Sequence, residues 1–529
     1  MPRKGSRKAR SGCLTCRARK VKCDEDKPTC QKCLSVGRKC QGLGYSHAEP
    51  ACSQLHLYRP HNLVLGNNIS SESRAIEFFC QVAAPSMSGP IDPYFWTHVV
   101  LQFCEFEPAV RHSVMTISSL YENLQSKDST SLVKTQRNML ALKHYNAAIR
   151  ELRTPHEPDI LLTLLACLMF VCIEVIQSNG AMAIQHCQHG INLLSTSNPP
   201  QWALHHLLPI FRRLSVYPFY FGNSQPLGKP GALTIPSSFS SVSEAQASMD
   251  TISNMTIQHF RQTVDYRIGD MRSKPIPPHV LREQKQVQDY LNQWRSAFDK
   301  FEHTTRPDLV QRSPTSRIWL SHMYEICTIF SHLGFSTNES DYDKYIPNFK
   351  RIVKSARELA GLRARSTPPK FCFEMGFAHY LFLTAIKCRH LETRLEALRL
   401  MGVLCAARES LWDNGTLQIV AQRTINLEHG MMRQATGGFK TQYDSLPPDE
   451  MRVRHFVIGR AESGPGGLPC REVTFYLSKK DGGLYRRRER FPAHNTPEDG
   501  PGVFEVDLQM DELSMSETMS VSSRVVGLE

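Results

Sequence analysis

Apolar residues recur along most of this chain with a helical period. Val287, Leu291, Trp294, Phe298 and Phe301 follow one another at spacings of 4, 3, 4 and 3, which places them on one helix face. Such a stripe is expected to face a core rather than a partner. Asp92 before Pro93 pairs an N-capping residue with a proline at the first helical position. Tyr94, Phe95, Val99 and Phe103 then fit one face. Residues 371–388 and 390–412 predict two further helices, the first strongly apolar and entered after Pro368-Pro369. The Pro/Ser/Gly-rich stretch Ser224–Ser243 predicts a surface loop within the helical region. From about Ser71 to Ala435 the pattern predicts an all-α body, assigned to residues 71–440, with no internal repeat.

The most apolar run, Ile160–Ile173, has fourteen residues, with Thr163 as the only polar interruption and Glu174 directly after it. A bilayer span needs roughly 20 apolar residues. A buried core helix is therefore expected, and no membrane partner.

The period changes after Pro447. Val453–Ile458 and Glu472–Leu477 are β-rich runs flanking Gly464-Pro465-Gly466-Gly467, and Asp481-Gly482-Gly483 marks a second turn. A short β-hairpin or meander is predicted over residues 441–490. Arg486-Arg487-Arg488 reads either as an import signal or as a solvated strand end. Residues 491–529 carry eight acids against one arginine. Within them Val503-Phe504-Glu505-Val506-Asp507-Leu508 alternates apolar and acidic residues. This composition predicts a disordered acidic tail, either an activation segment for co-activators or an acidic tail without that role.

At 529 residues the chain is long enough for two to four units. Its net charge of +13 is concentrated, since residues 1–40 hold thirteen Lys/Arg and three Asp/Glu, a net of +10. A localised basic patch usually meets a polyanion. Residues 1–12 form a basic arm through Arg3, Lys4, Arg7, Lys8 and Arg10, suited to nuclear import, to phosphate contact, or to both. Residues 46–70 have no sustained hydrophobic period and read as a linker. No run of apolar heptads follows the basic segment, so monomeric binding and homodimerisation through the helical region both stay open.

Met1 to Arg10 contains no apolar stretch that would make a signal peptide, so clustered cysteines read as metal ligands rather than disulfides. Cys13, Cys16, Cys23, Cys30, Cys33 and Cys40 are spaced C-x2-C-x6-C-x6-C-x2-C-x6-C. Shifting the first three by seventeen positions lands on the last three, an internal duplication that suggests two equivalent half-sites. Structural zinc takes four ligands. One zinc would strand two of the cysteines, and two independent zincs would need eight. Six satisfy two Zn²⁺ only if two thiolates bridge. The other eleven cysteines are scattered through apolar segments and are expected to be buried thiols.

Over residues 13–45 the spacing resembles the fungal zinc binuclear cluster domain. The resemblance implies that Cys13 and Cys30 bridge the two zincs, that Cys16 and Cys23 complete one site, and that Cys33 and Cys40 complete the other. It also implies two short helices, each begun at a C-x2-C pair, with the first entering the major groove of double-stranded DNA. Pro28 matches a proline of the connecting loop. Lys20 matches the lysine that reads guanine in CGG triplets, where O6 and N7 present two acceptors. Arg17, Arg19 and Lys22 are placed as phosphate contacts. Phe78-Phe79, Ala84-Pro85, Ser88-Gly89, Phe95-Trp96 and Glu107 to His112 further resemble the opening of the fungus-specific regulatory domain, as do Leu164-Leu165-Ala166-Cys167 and Glu174. That domain is regulatory rather than catalytic.

These readings imply a nuclear, sequence-specific transcription factor for RNA polymerase II genes, activating a fungal pathway gene cluster such as one for secondary metabolism. The alternative is a zinc-stabilised co-regulator or scaffold that binds proteins and not DNA. The four basic residues from Arg17 to Lys22 argue against it. An enzyme lacks its parts, because the sequence contains no phosphate-cradling Gly-rich loop after a strand, no H-E-x-x-H and no nucleophile elbow. His98, His112, His144 and His189 lie in helical patterns where packing or exposure is expected.

Overall fold

The computed structural model describes residues 15–16, 19, 21–24 and 30–36 of the cysteine segment. Beyond it the described residues are 71–89, 93–125, 131–153, 159–215, 233–267, 271–304, 314–363, 367–433, 439–440, 446–463, 469–478, 484–492, 510–512 and 527–528. The chain divides into two compact units, Met1–Val64 and Leu65–Glu529. In the first, a helical turn at Thr15–Cys16 precedes a one-turn helix, α1 (Gln31–Leu34).

The second unit is helical first and β-rich last. Helix α2 (Ser71–Phe78) runs into a π-turn (Phe79–Ala83), and a second π-turn (Phe95–Val99) leads into α3 (Val100–Phe106). The residues resembling a regulatory-domain opening form a buried aromatic relay. Phe79 meets Trp96 at 6.4 Å between ring centres, and Trp96 meets Phe373 edge-on at 5.0 Å. Gly89 has φ +62°, a left-handed conformation that favours a residue without Cβ. Asp92 lies outside the described residues; of the predicted face, Phe95 and Val99 are buried and Phe103 half-buried, whereas Tyr94 is exposed.

Helix α4 (Pro108–Gln125) packs against α5 (Ser131–Leu152) and α6 (Ile160–Ile176), and α6 packs against α7 (Gly180–Thr196). Helix α6 holds the apolar run. Asp159 caps it by accepting the Leu161 amide at 2.8 Å, and Leu164, Leu165, Leu168, Met169, Val171 and Ile173 are fully buried. Glu174 is also buried, and its carboxylate accepts from Tyr145 Oη and Asn179 Nδ2, each at 2.7 Å. Among the described residues no helix is long and apolar enough to cross a membrane. Gly190 of α7 lets α8 (Leu208–Leu214) approach closely through Phe211.

Ser241 caps α9 (Val242–Gln262), accepting the Glu244 amide at 3.1 Å, and α10 (Val264–Arg267) follows. Of the predicted loop, residues 233–241 are non-helical, and 224–232 lie outside the described residues. Helix α11 (Pro278–Thr304) buries Val287, Leu291, Trp294, Phe298 and Phe301, as its stripe predicts. Trp294 donates its indole N–H to the Ala245 carbonyl at 2.8 Å, tying α11 to α9. Helices α12 (Pro314–His332) and α13 (Ile346–Leu362) complete the middle of the body.

The two helices predicted over 371–388 and 390–412 are shorter than their apolar patterns suggest. Phe371–Cys372 is instead strand β1, paired in parallel with β2 (Arg408–Glu409), and only Ala378–Lys387 is helical, as α14. The reason is a distant carboxylate. Glu409 accepts the amides of Gly376 and Ala378 at 2.9 and 2.8 Å, which fixes a turn before α14. The second helix, α15 (Leu391–Leu404), ends early. Its chain then turns back at Ser410, at φ 52°, so that β2 pairs with β3 (Trp412–Asp413). Helix α16 (Asn414–His429) follows.

The C-terminal sheet exceeds a hairpin. Strands β4 (Val453–Ser463) and β5 (Pro469–Ser478) flank the predicted Gly-rich turn, and β6 (Leu484–Pro492) adds a third antiparallel strand. Arg486, Arg487 and Arg488 lie opposite Tyr476, Phe475 and Thr474. They are half-buried within a strand, not at a solvated end. Two tail segments also pair, β7 (Met510–Glu512) beside β6 and β8 (Gly527–Leu528) in parallel beside β4. Val503–Leu508 and the other tail residues lie outside the described residues.

Candidate metal centre

Two turns of backbone set the thiols. Cys30 precedes α1, and its carbonyl accepts the amides of Cys33 and Leu34 at 3.0 and 3.1 Å. This C-x2-C turn brings Cys30 and Cys33 into the same small core. On the other side, the carbonyl of Cys16 accepts the Val21 amide at 3.1 Å. Across the unit, Asp24 accepts the Gln31 amide at 2.7 Å and the Lys32 amide at 3.4 Å. Asp24 thus caps α1 from seven residues away, a role no local capping pattern signals. Arg19 donates from Nη1 to the Lys32 carbonyl at 3.2 Å, joining the first segment to the second.

The sulfurs are close. Cys16 Sγ lies 3.7 Å from Cys30 Sγ and 3.8 Å from Cys33 Sγ. The ligand atoms of Cys16, Cys23 and Cys30 all lie within 4.8 Å of one another. With Zn–S near 2.3 Å, tetrahedral geometry sets neighbouring thiolates about 3.8 Å apart. The donor set therefore fits zinc, and Cys16, Cys23 and Cys30 are the trio that the resemblance assigns to one ion and a bridge. Cys33, assigned by resemblance to the other ion, stands as near to Cys16 as Cys30 does. Among the described residues the buried core of this unit is Cys16, Cys30 and Cys33, with Cys23 packed against it. Without an aliphatic core, ligation is what can offset the entropy of folding so short a segment.

Of the residues expected to contact DNA, Lys22 is exposed and Arg19 half-buried. Cys13, Cys40, Arg17, Lys20 and Pro28 lie outside the described residues. The sequence reading missed Asp24 and the internal bond of Arg19.

The fungal Zn(2)-Cys(6) binuclear cluster domain matches residues 11–46. The fungal specific transcription factor domain matches residues 74–226. The chain thus matches both a Zn(2)-Cys(6) cluster domain and a fungal transcription factor domain, and the relatives it resembles are fungal transcription regulators. Similar proteins include the aspercryptin biosynthesis cluster-specific transcription regulator atnN of Emericella nidulans, 25% identical over 66% of this chain and 64% of that protein. The transcription regulator lscL of Purpureocillium lilacinum is 26% identical over 34% of this chain and 48% of its own length. White-opaque regulator 2 of Candida albicans is 56% identical over 39 residues, 7% of this chain and 8% of that protein. The chain thus spans less than two thirds of the relatives it matches. No solved structure matches it. Each of these relatives is named as a regulator.

The four helical histidines pack against neighbouring rings or are exposed. His112 and His144 place their Nδ1 atoms 3.1 Å apart, His98 stacks on Tyr94, and His189 is exposed. Most of the described cysteines beyond the cluster are buried, and burial pushes thiols such as Cys104 up to about 11, away from reactivity.

Proposed function

We propose that this regulator is a nuclear protein that binds double-stranded DNA in a sequence-specific way through its cysteine unit. In this reading Cys13, Cys16, Cys23, Cys30, Cys33 and Cys40 hold two Zn²⁺, with Cys13 and Cys30 shared. Bound zinc would supply only a structural cross-link. The chain's own residues do the recognition. Lys20 reads guanine O6 and N7 in CGG-like triplets, and Arg17 and Lys22 neutralise flanking phosphates. Arg19 serves the fold as well as the charge, since it also donates to the Lys32 carbonyl.

The supporting observation is the Sγ spacing of Cys16, Cys30 and Cys33 inside a segment of net charge +10. The relative atnN is named as a regulator specific to a biosynthesis cluster. By analogy this chain would control RNA polymerase II genes of a comparable secondary-metabolite cluster, recruiting co-activators through its acidic tail. The deciding experiment is selection of random duplexes by the full-length, zinc-loaded protein. Enrichment of CGG-like triplets is expected, and the distance between paired triplets would report whether a homodimer binds. Recovery of no preferred duplex would leave the protein-binding scaffold instead.

A further inference from the structure

A cavity of about 110 Å³ opens within the larger unit where α9, α10, α12, α14 and β4 converge. Its walls are largely apolar, with Phe260, Phe330, Leu333, Leu383, Ile386 and Phe456 among them. Phe260 and Phe330 stack at 4.2 Å between ring centres. Set into these walls are the cations Arg261, Arg267, Lys387 and Arg454, against a single carboxylate, Glu339, among the described lining residues. That carboxylate is already engaged by Lys387 and Arg389, each at 2.9 Å.

Two of the lining groups bury a polar atom that has no hydrogen-bond partner, and among the described residues no carboxylate pairs with the first of them as carboxylates do with other buried arginines of the body. Arg213 is held by Asp250 at 3.1 Å and by Glu374, and Arg389 by Glu339 and Glu428. Arg267, by contrast, buries Nη1 with no acceptor, its guanidinium lying 3.3 Å above the Phe260 ring. Burial pushes it down to about 10, although Tyr342 and Glu339 act the other way. His455 likewise buries Nε2 without a partner. Burial lowers its pKa to about 3, with Lys387 and Arg267 acting in the same direction, so its imidazole is neutral and carries one N–H. Two buried nitrogens without a partner, one on a guanidinium and one on an imidazole, are costly at the end of an apolar recess unless an acceptor satisfies them.

We propose that this cavity binds a small carboxylic acid with an apolar body, its carboxylate accepting from Arg267 and His455 and its hydrocarbon lying among Phe260, Phe330 and Leu383. A planar carboxylate matches the guanidinium fork. At about 110 Å³ the cavity is smaller than the apolar cavity of about 150 Å³ that admits benzene, so it suits a short branched acyl chain rather than a ring. Because the cavity is walled by both the helices and β4, occupancy stabilises their junction. The inference stands whether or not the cysteine unit reads CGG triplets.

The test uses the full-length, zinc-loaded protein with isobutyrate as the charged probe and isobutyramide as its uncharged counterpart. Calorimetric titration should show saturable binding of isobutyrate, with a raised melting temperature. Isobutyramide should bind at least about tenfold more weakly, as expected for loss of a charge-assisted hydrogen bond. Arg267→Met should weaken isobutyrate by at least about tenfold while leaving isobutyramide unchanged. The melting temperature of unliganded Arg267→Met should not fall, because methionine keeps the apolar contact with Phe260 and removes a buried nitrogen that lacks an acceptor. Leu333→Phe, which fills the recess, should weaken both probes. Equal binding of acid and amide by the unaltered protein overturns the proposal, as does no saturable binding of isobutyrate, or unchanged affinity in Arg267→Met.

Discussion

Arg394 donates from Nη1 to Glu428 Oε2 at 2.7 Å, and both side chains are fully buried. The pair joins α15 to α16. The other oxygen of Glu428 accepts from Arg389 at 3.1 Å and from the Val453 amide at 2.9 Å, so one carboxylate also anchors the first strand of the C-terminal sheet. Removing it leaves two buried guanidinium groups short of a partner. Glu428→Ala should cost about 3–5 kcal/mol of unfolding free energy. Urea denaturation followed by circular dichroism measures this, and a loss below about 1 kcal/mol would show that the carboxylate does not hold the junction.

The same residue sets an acid limit. Burial by itself would raise the Glu428 carboxyl, but Arg389 and Arg394 overcome it and hold the group down to about 2, from 4.5. A folded-state pKa below the unfolded one stabilises the protein above the ordinary glutamate range. That stability is lost as pH falls from 4.5 towards 2. Stability measured against pH should therefore decline over this window. The decline should be shallower in Glu428→Gln, and identical slopes would contradict the assignment.

Gly190 gives a steric prediction. A Cβ built there would stand 2.2 Å from Phe211 Cε1, inside the contact between α7 and α8. Gly190→Ala should destabilise the body by about 1–3 kcal/mol, the usual cost of overpacking. Combining it with Phe211→Leu should recover part of the loss, measurable as a non-additive double-mutant cycle.

For the cysteine unit, the proposed sharing of Cys30 predicts unequal consequences of removing ligands. The intact protein should carry two zinc ions per chain by elemental analysis. Cys30→Ala should lose both, whereas Cys23→Ala removes one ligand from one ion and should retain more metal. A ratio of one zinc in the intact protein would exclude a bridged pair.

Basic residues should separate by role. Lys20→Ala should cost about 1–3 kcal/mol at a CGG-containing duplex and flatten discrimination among sequences. Lys22→Ala should weaken all duplexes alike and reduce the salt slope. Arg19→Ala should in addition lower the temperature at which zinc is released, because its guanidinium holds the Lys32 carbonyl. Binding curves at several salt concentrations distinguish the three. Equal losses on every sequence for Lys20→Ala would remove it as the base reader.

Some of this protein is written in short-range order. The stripe from Val287 to Phe301 specifies a buried helix face because α-helical geometry repeats every 3.6 residues whatever surrounds it. The six-cysteine spacing announces metal ligation because zinc's demand for four ligands is met within one short segment. Neither needs knowledge of distant residues. Where elements stop and what their buried charges meet were decided in three dimensions. The apolar run at 371–388 yields a strand and a late helix because Glu409 binds its amides at Gly376 and Ala378. Asp24 caps α1 only because its carboxylate stands beside the Gln31 amide, seven residues further along the chain. The cavity beside Arg267 is assembled from α9, α10, α12, α14 and β4, segments far apart in the chain. Sequence periodicity records which face of an element avoids water. Which carboxylate, amide or cation then stands opposite depends on the packing of whole elements, and that information is carried by no single stretch of residues.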